Sequence, residues 1–403
     1  MTIRIKRCSI WMLFFAVFMI RPYYVTLYAQ LNMIWAYSTL FCAVITSCMV
    51  LNHCRLRKET TIIALFCATY LLATLSQTPK SLASAVSSIA QIVLPYNMGI
   101  LLMNGTKRPS LEKNVSFVFS CYLYADALCT FLHVSERLFG LPKELTLLGY
   151  DNYAAFNVLA MLAVKFAIDE KQNNGKITIE NILCYSVCCA GKILTGSVAA
   201  CISLFAFAVI KLVLRHDKNV TRKCRPSKVI FLLMALFILV YYFKIYQVFA
   251  ALLLELGKGS DLNSRTIIWN KVLRHIMDIP LILIGKGHYT EEEFRAFFEF
   301  PYGFNATHPH NIILCILVDT GAIGLMLYCK WLSKVIVNKA VVKVSWYKTL
   351  LIGLICYLFQ GFWDYYTFLS GFYILLGTTI SYGTLLSESN AQSSANIKEL
   401  HAR

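Results

Sequence analysis

Runs of about 20 apolar residues recur along the whole chain, and this repetition limits the fold more than any other feature. An α-helix needs roughly 20 such residues to cross a hydrocarbon core, where no water can bond a free backbone amide. Read with that window, the sequence predicts spans near 8–28, 32–51, 60–78, 82–103, 114–133, 152–168, 177–193, 197–214, 228–253, 310–330, 347–362 and 366–386. The total of about twelve depends on 177–214, a stretch long enough for a tight hairpin broken at Gly191, Lys192, Gly196 and Ser197. The expected fold is all-α and polytopic: one integral membrane domain over 1–403 with a polar, disordered tail at 387–403. Its one sizeable loop, 254–309, separates the span ending at 253 from the span at 310–330.

Composition supports this reading. The 403 residues are 58% hydrophobic and 15% charged, whereas a soluble domain is about a quarter charged. A net charge of +17 could point to nucleic acid, but the basic residues fall mainly in short connectors, as the positive-inside rule expects. Arg4/Lys6/Arg7, Arg55/Arg57/Lys58, Lys107/Arg108/Lys113, Lys171/Lys176, Arg215 to Lys228 and Lys330 to Lys348 all fall on one side of the predicted spans. Both termini are therefore expected in the cytoplasm and 254–309 outside it. Most cysteines lie inside apolar runs, none lies in 254–309 and no CxxC pair occurs, which argues against a disulfide framework or a zinc finger. The basic start followed by an apolar run reads as an uncleaved first span.

The polar chemistry is concentrated in the loop. Asp261, Asn263 and Ser264 are plausible N-caps for a helix running to Asp278 and stopped by Pro280. Arg265, Trp269, Val272 and Ile276 share one face of that helix, suited to the bilayer surface or to the bundle. A second short helix starts at Thr290 with Glu293 completing a capping box, and Gly285-Lys286-Gly287 lies between the two. His310, after Pro309, sits where loop becomes span; a boundary histidine can take a proton or contact an anion, and the plain alternative is an interfacial side chain. Gly321 and Gly324 would let a neighbouring helix approach, as packing glycines commonly do. His308 and His310, with His288 and nearby glutamates, permit a metal site, but their spacing is unspecific and no metal is expected. Glu291, Glu292, Glu293 and Glu299 read as a solvated helix face, with Glu292 or Glu299 free to orient a sugar. Phe294, Phe297, Phe298 and Phe300 read as lipid- or bundle-facing, and Trp269 and Tyr302 as interface anchors or sugar-stacking rings. Asp364, in GFWDYY, falls at an outer boundary where it could line the same cavity.

The order and spacing of these residues resemble a known family. His310-Asn311, nine residues, Gly321, two residues and Gly324 is similar to the signature of the O-antigen ligase and O-antigen/capsule polymerase superfamily. Arg265 shortly before Trp269, then Pro280, Gly285 and Gly287, match the pattern of that family in order, so the specific resemblance covers about 60 residues. Family members commonly carry Ser-Arg or Ser-Lys before the final pre-loop helix, whereas this chain has Ser197-Val198. Lys192, Arg274 or Lys286 would then have to supply the missing charge. The resemblance implies glycosyl transfer, without metal or other cofactor, from an undecaprenyl-pyrophosphate-linked glycan to an acceptor sugar hydroxyl. It places Arg265 at the pyrophosphate, His310 as base or phosphate contact, and Asn311 beside them. It also implies a bacterial cytoplasmic membrane, with membrane lipid, a flippase and a chain-length regulator as partners.

Three functions compete at this stage: a polymerase joining lipid-linked repeat units of capsule, exopolysaccharide or O-antigen; a ligase moving finished glycan to lipid A core or another surface acceptor; and a transporter or flippase. A transporter of about twelve spans would show two similar halves or helices broken at the midplane. No such repeat is visible, and the polar loop lies off-centre, which favours an enzyme.

Overall fold

A computed structural model describes residues 2–53, 57–102, 109–214, 225–245, 247, 264–278, 281–301, 304, 306–337 and 340–402. It is almost wholly helical. The helices are α1 (Thr2–Phe18), α2 (Tyr23–Thr26), α3 (Ala29–His53), α4 (Arg57–Gln77), α5 (Leu82–Leu101), α6 (Pro109–Phe131), α7 (Val134–Phe139) and α8 (Asp151–Gln172). There follow α9 (Ile179–Thr195), α10 (Val198–Leu214), α11 (Pro226–Tyr242), α12 (Arg265–Ile276), α13 (Leu281–Ile284), α14 (Glu291–Phe297), α15 (Ile312–Ser333), α16 (Ser345–Trp363) and α17 (Ser370–Ala402). The only sheet among the described residues is the antiparallel pair β1 (Leu145–Thr146) and β2 (Gly149–Tyr150).

The predicted spans overlap helices, and among the described residues four helices meet both the length and the apolarity needed to cross a membrane: Ala29–Asn52, Glu59–Gln77, Pro79–Leu101 and Ile312–Ser333. Val198–Val213 and Pro226–Tyr242 are apolar and shorter. The predicted hairpin at 177–214 forms, turning at Gly196, whose φ of 78° suits the left-handed cap of α9. The span expected at 8–28 is broken between α1 and α2. The tail expected to be disordered from Ser387 instead continues α17 to Ala402.

At the centre stands α8, buried along nearly its whole length and packed against α6, α9, α10, α16 and α17. Its charged residues are paired rather than exposed. Lys165 reaches Asp169 at 2.6 Å and Glu180 at 3.0 Å, and Lys211 bonds Glu170. Pairing is what allows charge inside such a bundle, since an unpaired buried ion costs several kcal/mol.

Two crossings of backbone fix the polar loop against this frame. At Gly321 α15 breaks, with φ 65° and ψ −169°, a conformation open essentially to glycine alone. A Cβ there would lie 2.2 Å from the Leu283 carbonyl oxygen, and one on Gly285 would lie 2.6 Å from the amides of Thr320 and Gly321. The Val318 and Asp319 carbonyls at the break accept from the amides of Lys286 at 2.6 Å and Gly287 at 3.2 Å. Gly321 therefore admits the α13–Gly287 segment, not the neighbouring long helix that the glycine spacing alone implies. Gly324 packs on Thr320 of its own helix. The α12 face holding Ile268, Trp269, Val272 and Ile276 is buried against the bundle, and the Trp269 indole donates to the Pro309 carbonyl at 3.0 Å.

Candidate active site

Asn311 builds the first wall of the site. Its carboxamide oxygen caps α15 by accepting from the amides of Ile313 (3.0 Å) and Leu314 (3.3 Å), and its Nδ2 donates to the Phe362 carbonyl at 3.0 Å. One side chain thus ties the start of α15 to the end of α16. His310 precedes it with φ 51°, a left-handed conformation rare outside glycine, which turns the imidazole back toward Asp364. Pro309, held by Trp269, keeps His308 and His310 side by side with ring centroids 3.8 Å apart.

Both imidazoles converge on one oxygen. His308 Nε2 lies 2.8 Å and His310 Nδ1 3.0 Å from Asp364 Oδ1, while Asp364 Oδ2 accepts from Asn152 Nδ2 at 2.9 Å. Ser197 in turn donates to Asn152 Oδ1 at 3.1 Å. Burial alone would raise the Asp364 carboxyl, but the adjacent imidazoles, His310 foremost, overrule it and hold the group well below the usual carboxylate range. Burial pushes His308 down to about 4, His310 beside it acting in the same direction against the pull of Asp364, so His308 is neutral at pH 7.

These states assign the protons. A carboxylate only accepts, so His308 Nε2 and His310 Nδ1 each carry a hydrogen. His308 Nδ1 then accepts from the Thr307 hydroxyl at 2.8 Å, which completes its bonding. His310 is left with Nε2 as its remaining ring nitrogen, and its side chain is 21% exposed against 3% for Asp364. An oriented imidazole with one nitrogen open and a buried carboxylate behind it is the geometry of a general base. Arg265 stands beside the pair, its Nε donating to the Trp363 carbonyl at 2.8 Å, one residue before Asp364.

The pair opens on a cavity of about 700 Å³, lined by Arg21, Tyr23, Thr26, Leu145, Leu148, Gly149, Tyr150, Asn152, Tyr153, Glu291, Thr307, His310, Asp364 and Tyr366. A second cavity of about 270 Å³ shares Tyr153, Glu291, Thr307 and Tyr366 with it and adds His288, Tyr289, His308 and Asp319. Aromatic rings with polar rims suit a sugar-bearing ligand.

The other predicted site residues lie elsewhere. Lys192 is buried and bonds Asp126 Oδ2 at 3.1 Å, and Asp126 Oδ1 accepts from the Leu148 amide. Lys286 is buried under Phe297, its Nζ 3.7 Å from the ring centroid, and burial lowers its ammonium pKa. Arg274 and Glu292 are exposed on α12 and α14, away from both cavities. Glu299 is exposed 3.8 Å from His275. Thr290 and Glu293 form the expected capping box. Ser264 sits at the N-cap of α12 without a side-chain cap bond, and Asp261, Asn263, Pro280 and Tyr302 lie outside the described residues. Phe294, Phe298 and Phe300 are buried within the loop itself, and Trp269 is buried rather than presented to a sugar. His288 bonds the Tyr70 hydroxyl at 2.8 Å instead of joining the other two histidines. His308, His310 and Asp364 offer three ligand atoms within 4.8 Å of one another, a set that could also hold a metal ion.

A family model described as O-antigen ligase matches residues 183–329, from α9 through the glycine break in α15. This match places residues 183–329 in the O-antigen ligase and polymerase superfamily. No curated protein and no solved structure matches it. The match and the long apolar helices support a membrane protein of O-antigen-ligase-like glycan processing. The matched region contains Ser197, Arg265 and His310, whereas Asp364, Asn152 and Arg21 lie outside it. Asn152 and Arg21 carry no motif that marks them in the sequence. Glu291 does read as one of several solvated acids, and only the fold singles it out.

Proposed function

We propose that the protein transfers a glycan from a lipid-pyrophosphate donor to a sugar hydroxyl, and that it polymerises repeat units of capsule, exopolysaccharide or O-antigen. The observation that carries this reading is the Asp364–His310 pair, oriented with Nε2 open toward a large aromatic cavity, in a chain that matches this superfamily over residues 183–329. In the proposed step the acceptor hydroxyl gives its proton to His310 Nε2 while its oxygen bonds the anomeric carbon. The anomeric carbon–oxygen bond to pyrophosphate breaks, and the lipid pyrophosphate leaves with that electron pair. Asp364 stabilises the imidazolium that forms, and Arg265 offers a planar guanidinium to the departing phosphate charge. The loop acts on the extracytoplasmic side of a bacterial inner membrane in this reading, with both termini cytoplasmic.

The test is purified full-length protein in nanodiscs, supplied with lipid-pyrophosphate repeat units, with and without chelator. A ladder of lengthening products that persists in chelator is expected. Transfer of a single finished glycan to lipid A core alone would replace polymerase by ligase. Activity lost in chelator and restored by a divalent ion would replace the His310 base by a metal held on His308, His310 and Asp364.

A further inference from the structure

The main cavity needs a fixed cation if it is to hold a pyrophosphate, and position 198, where the family resemblance implies a lysine or arginine, is valine. None of Lys192, Arg265, Arg274 and Lys286 lines it. Lys192 is neutralised by Asp126, Lys286 lies under Phe297, and Arg274 is exposed on α12. Among the described residues that line the cavity, Arg21 is the one with a permanent positive charge.

Arg21 is brought there by the break that divides the first predicted span. The chain leaves α1, turns at Arg21-Pro22 and enters α2, and the Tyr23 amide donates to the Leu147 carbonyl at 2.6 Å. That bond joins the elbow to the β1–β2 turn, so two segments outside the 183–329 match form the wall facing His310 and Asp364. A guanidinium has five N–H donors in a rigid fork. Arg21 Nη1 uses one on Asn32 Oδ1 at 3.0 Å, and the remaining donors are enough for a bidentate phosphate contact.

We infer that Arg21 is the anion-binding residue of this cavity and holds the pyrophosphate of the lipid-linked donor. This rests on the glycosyl-transfer reading above. It assigns to the elbow between α1 and α2 the charge that Val198 does not supply.

Binding of undecaprenyl pyrophosphate to the full-length protein in nanodiscs tests it, measured by intrinsic fluorescence for wild type, Arg21→Gln, Arg21→Lys and Asn32→Ala. Arg21→Gln should weaken binding about 10- to 100-fold, the loss of a charge-assisted contact, and should flatten its salt dependence. Arg21→Lys should recover part of that loss. Asn32→Ala removes the Arg21–Asn32 bond but not the charge, and should bind like wild type. Wild-type affinity in Arg21→Gln would overturn the assignment. So would an equal loss in Asn32→Ala, which would make Arg21 a structural tie. Failure of the wild type itself to bind would overturn both this assignment and the glycosyl-transfer reading.

Discussion

Asp364→Asn is the sharpest test of the proposed base, because it changes charge with almost no change in shape. In the wild type, Asp364 Oδ1 accepts from both imidazoles and Oδ2 accepts from Asn152. An asparagine can keep one oxygen toward the histidines only by aiming its NH2 at the Asn152 NH2. Turning Asn152 over would relieve that clash but would require its bond with Ser197 to reverse direction. The alternative rotamer aims the NH2 at two N–H groups. The larger effect is electrostatic. When His310 takes a proton, its Nδ1 lies 3.0 Å from a full carboxylate charge. At an effective dielectric near 20, unit charges at about that distance attract by roughly 5 kcal/mol. An amide dipole retains part of this, so a loss of about 10²–10³ in kcat is expected, since each 1.4 kcal/mol is tenfold. Turnover of lipid-linked repeat units in nanodiscs is the assay, with Asp364→Asn, His310→Ala and the double variant side by side. If the carboxylate acts through His310, the double variant should be no slower than His310→Ala. Asp364→Asn at a rate within a few-fold of wild type, with normal folding, would refute the assignment of the pair.

Arg265→Lys keeps the charge but loses the fork, and should cut activity strongly at normal expression; near wild-type polymer yield would remove Arg265 from the site. Gly321→Ala must place a Cβ 2.2 Å from the Leu283 oxygen in a conformation only glycine adopts, so a loss of about 3 kcal/mol or more in stability is expected, read from thermal unfolding. The pH dependence follows from His308, which is neutral when folded down to about 4 but takes up a proton near its ordinary 6.5 when unfolded. The unfolded state therefore binds more protons between these values, and stability should fall as pH drops from about 6.5 to about 4. The depressed Asp364 adds stability that is present above the ordinary carboxylate range and is lost only at lower pH, so the two windows separate. His308→Gln should flatten the melting temperature across the upper window, and an unchanged slope would put the titration elsewhere. For topology, a single cysteine at Glu292 in a cysteine-free background should react with an impermeant reagent in intact cells, and protection until lysis would move the loop to the cytoplasm.

What the sequence made legible and what it hid divide along a physical line. Apolar run length is local, so the predicted spans overlap helices, although 8–28 is broken, and the capping box at Thr290–Glu293 could be read from four letters. Spacing within one segment was also legible: His310, Asn311 and Gly321 are tied by the geometry of a single helix start and its break. Gly285 and Gly321 stood out as glycines, but that each exists to admit the other's backbone is a tertiary fact. Charge was the least legible property. Lys192 was read as a candidate cation because it lies near Ser197, yet Asp126, 66 positions away, cancels it in a buried pair.

The site follows the same rule. Its proposed base comes from the loop, its carboxylate from the end of α16, its amide from the start of α8 and its cavity cation from the elbow after α1. Only the first of these lies in the motif, because a motif records residues whose spacing is fixed by one stretch of backbone. Asp364 reaches His310 only because Asn311 ties α15 to Phe362, and Asn152 reaches Asp364 because α8 and α16 pack along their lengths. A chain can therefore keep the loop motif while drawing its cation from another helix end. Valine at 198 with arginine at 21 is what such an exchange would leave in the sequence, and the Arg21 variants decide whether it took place.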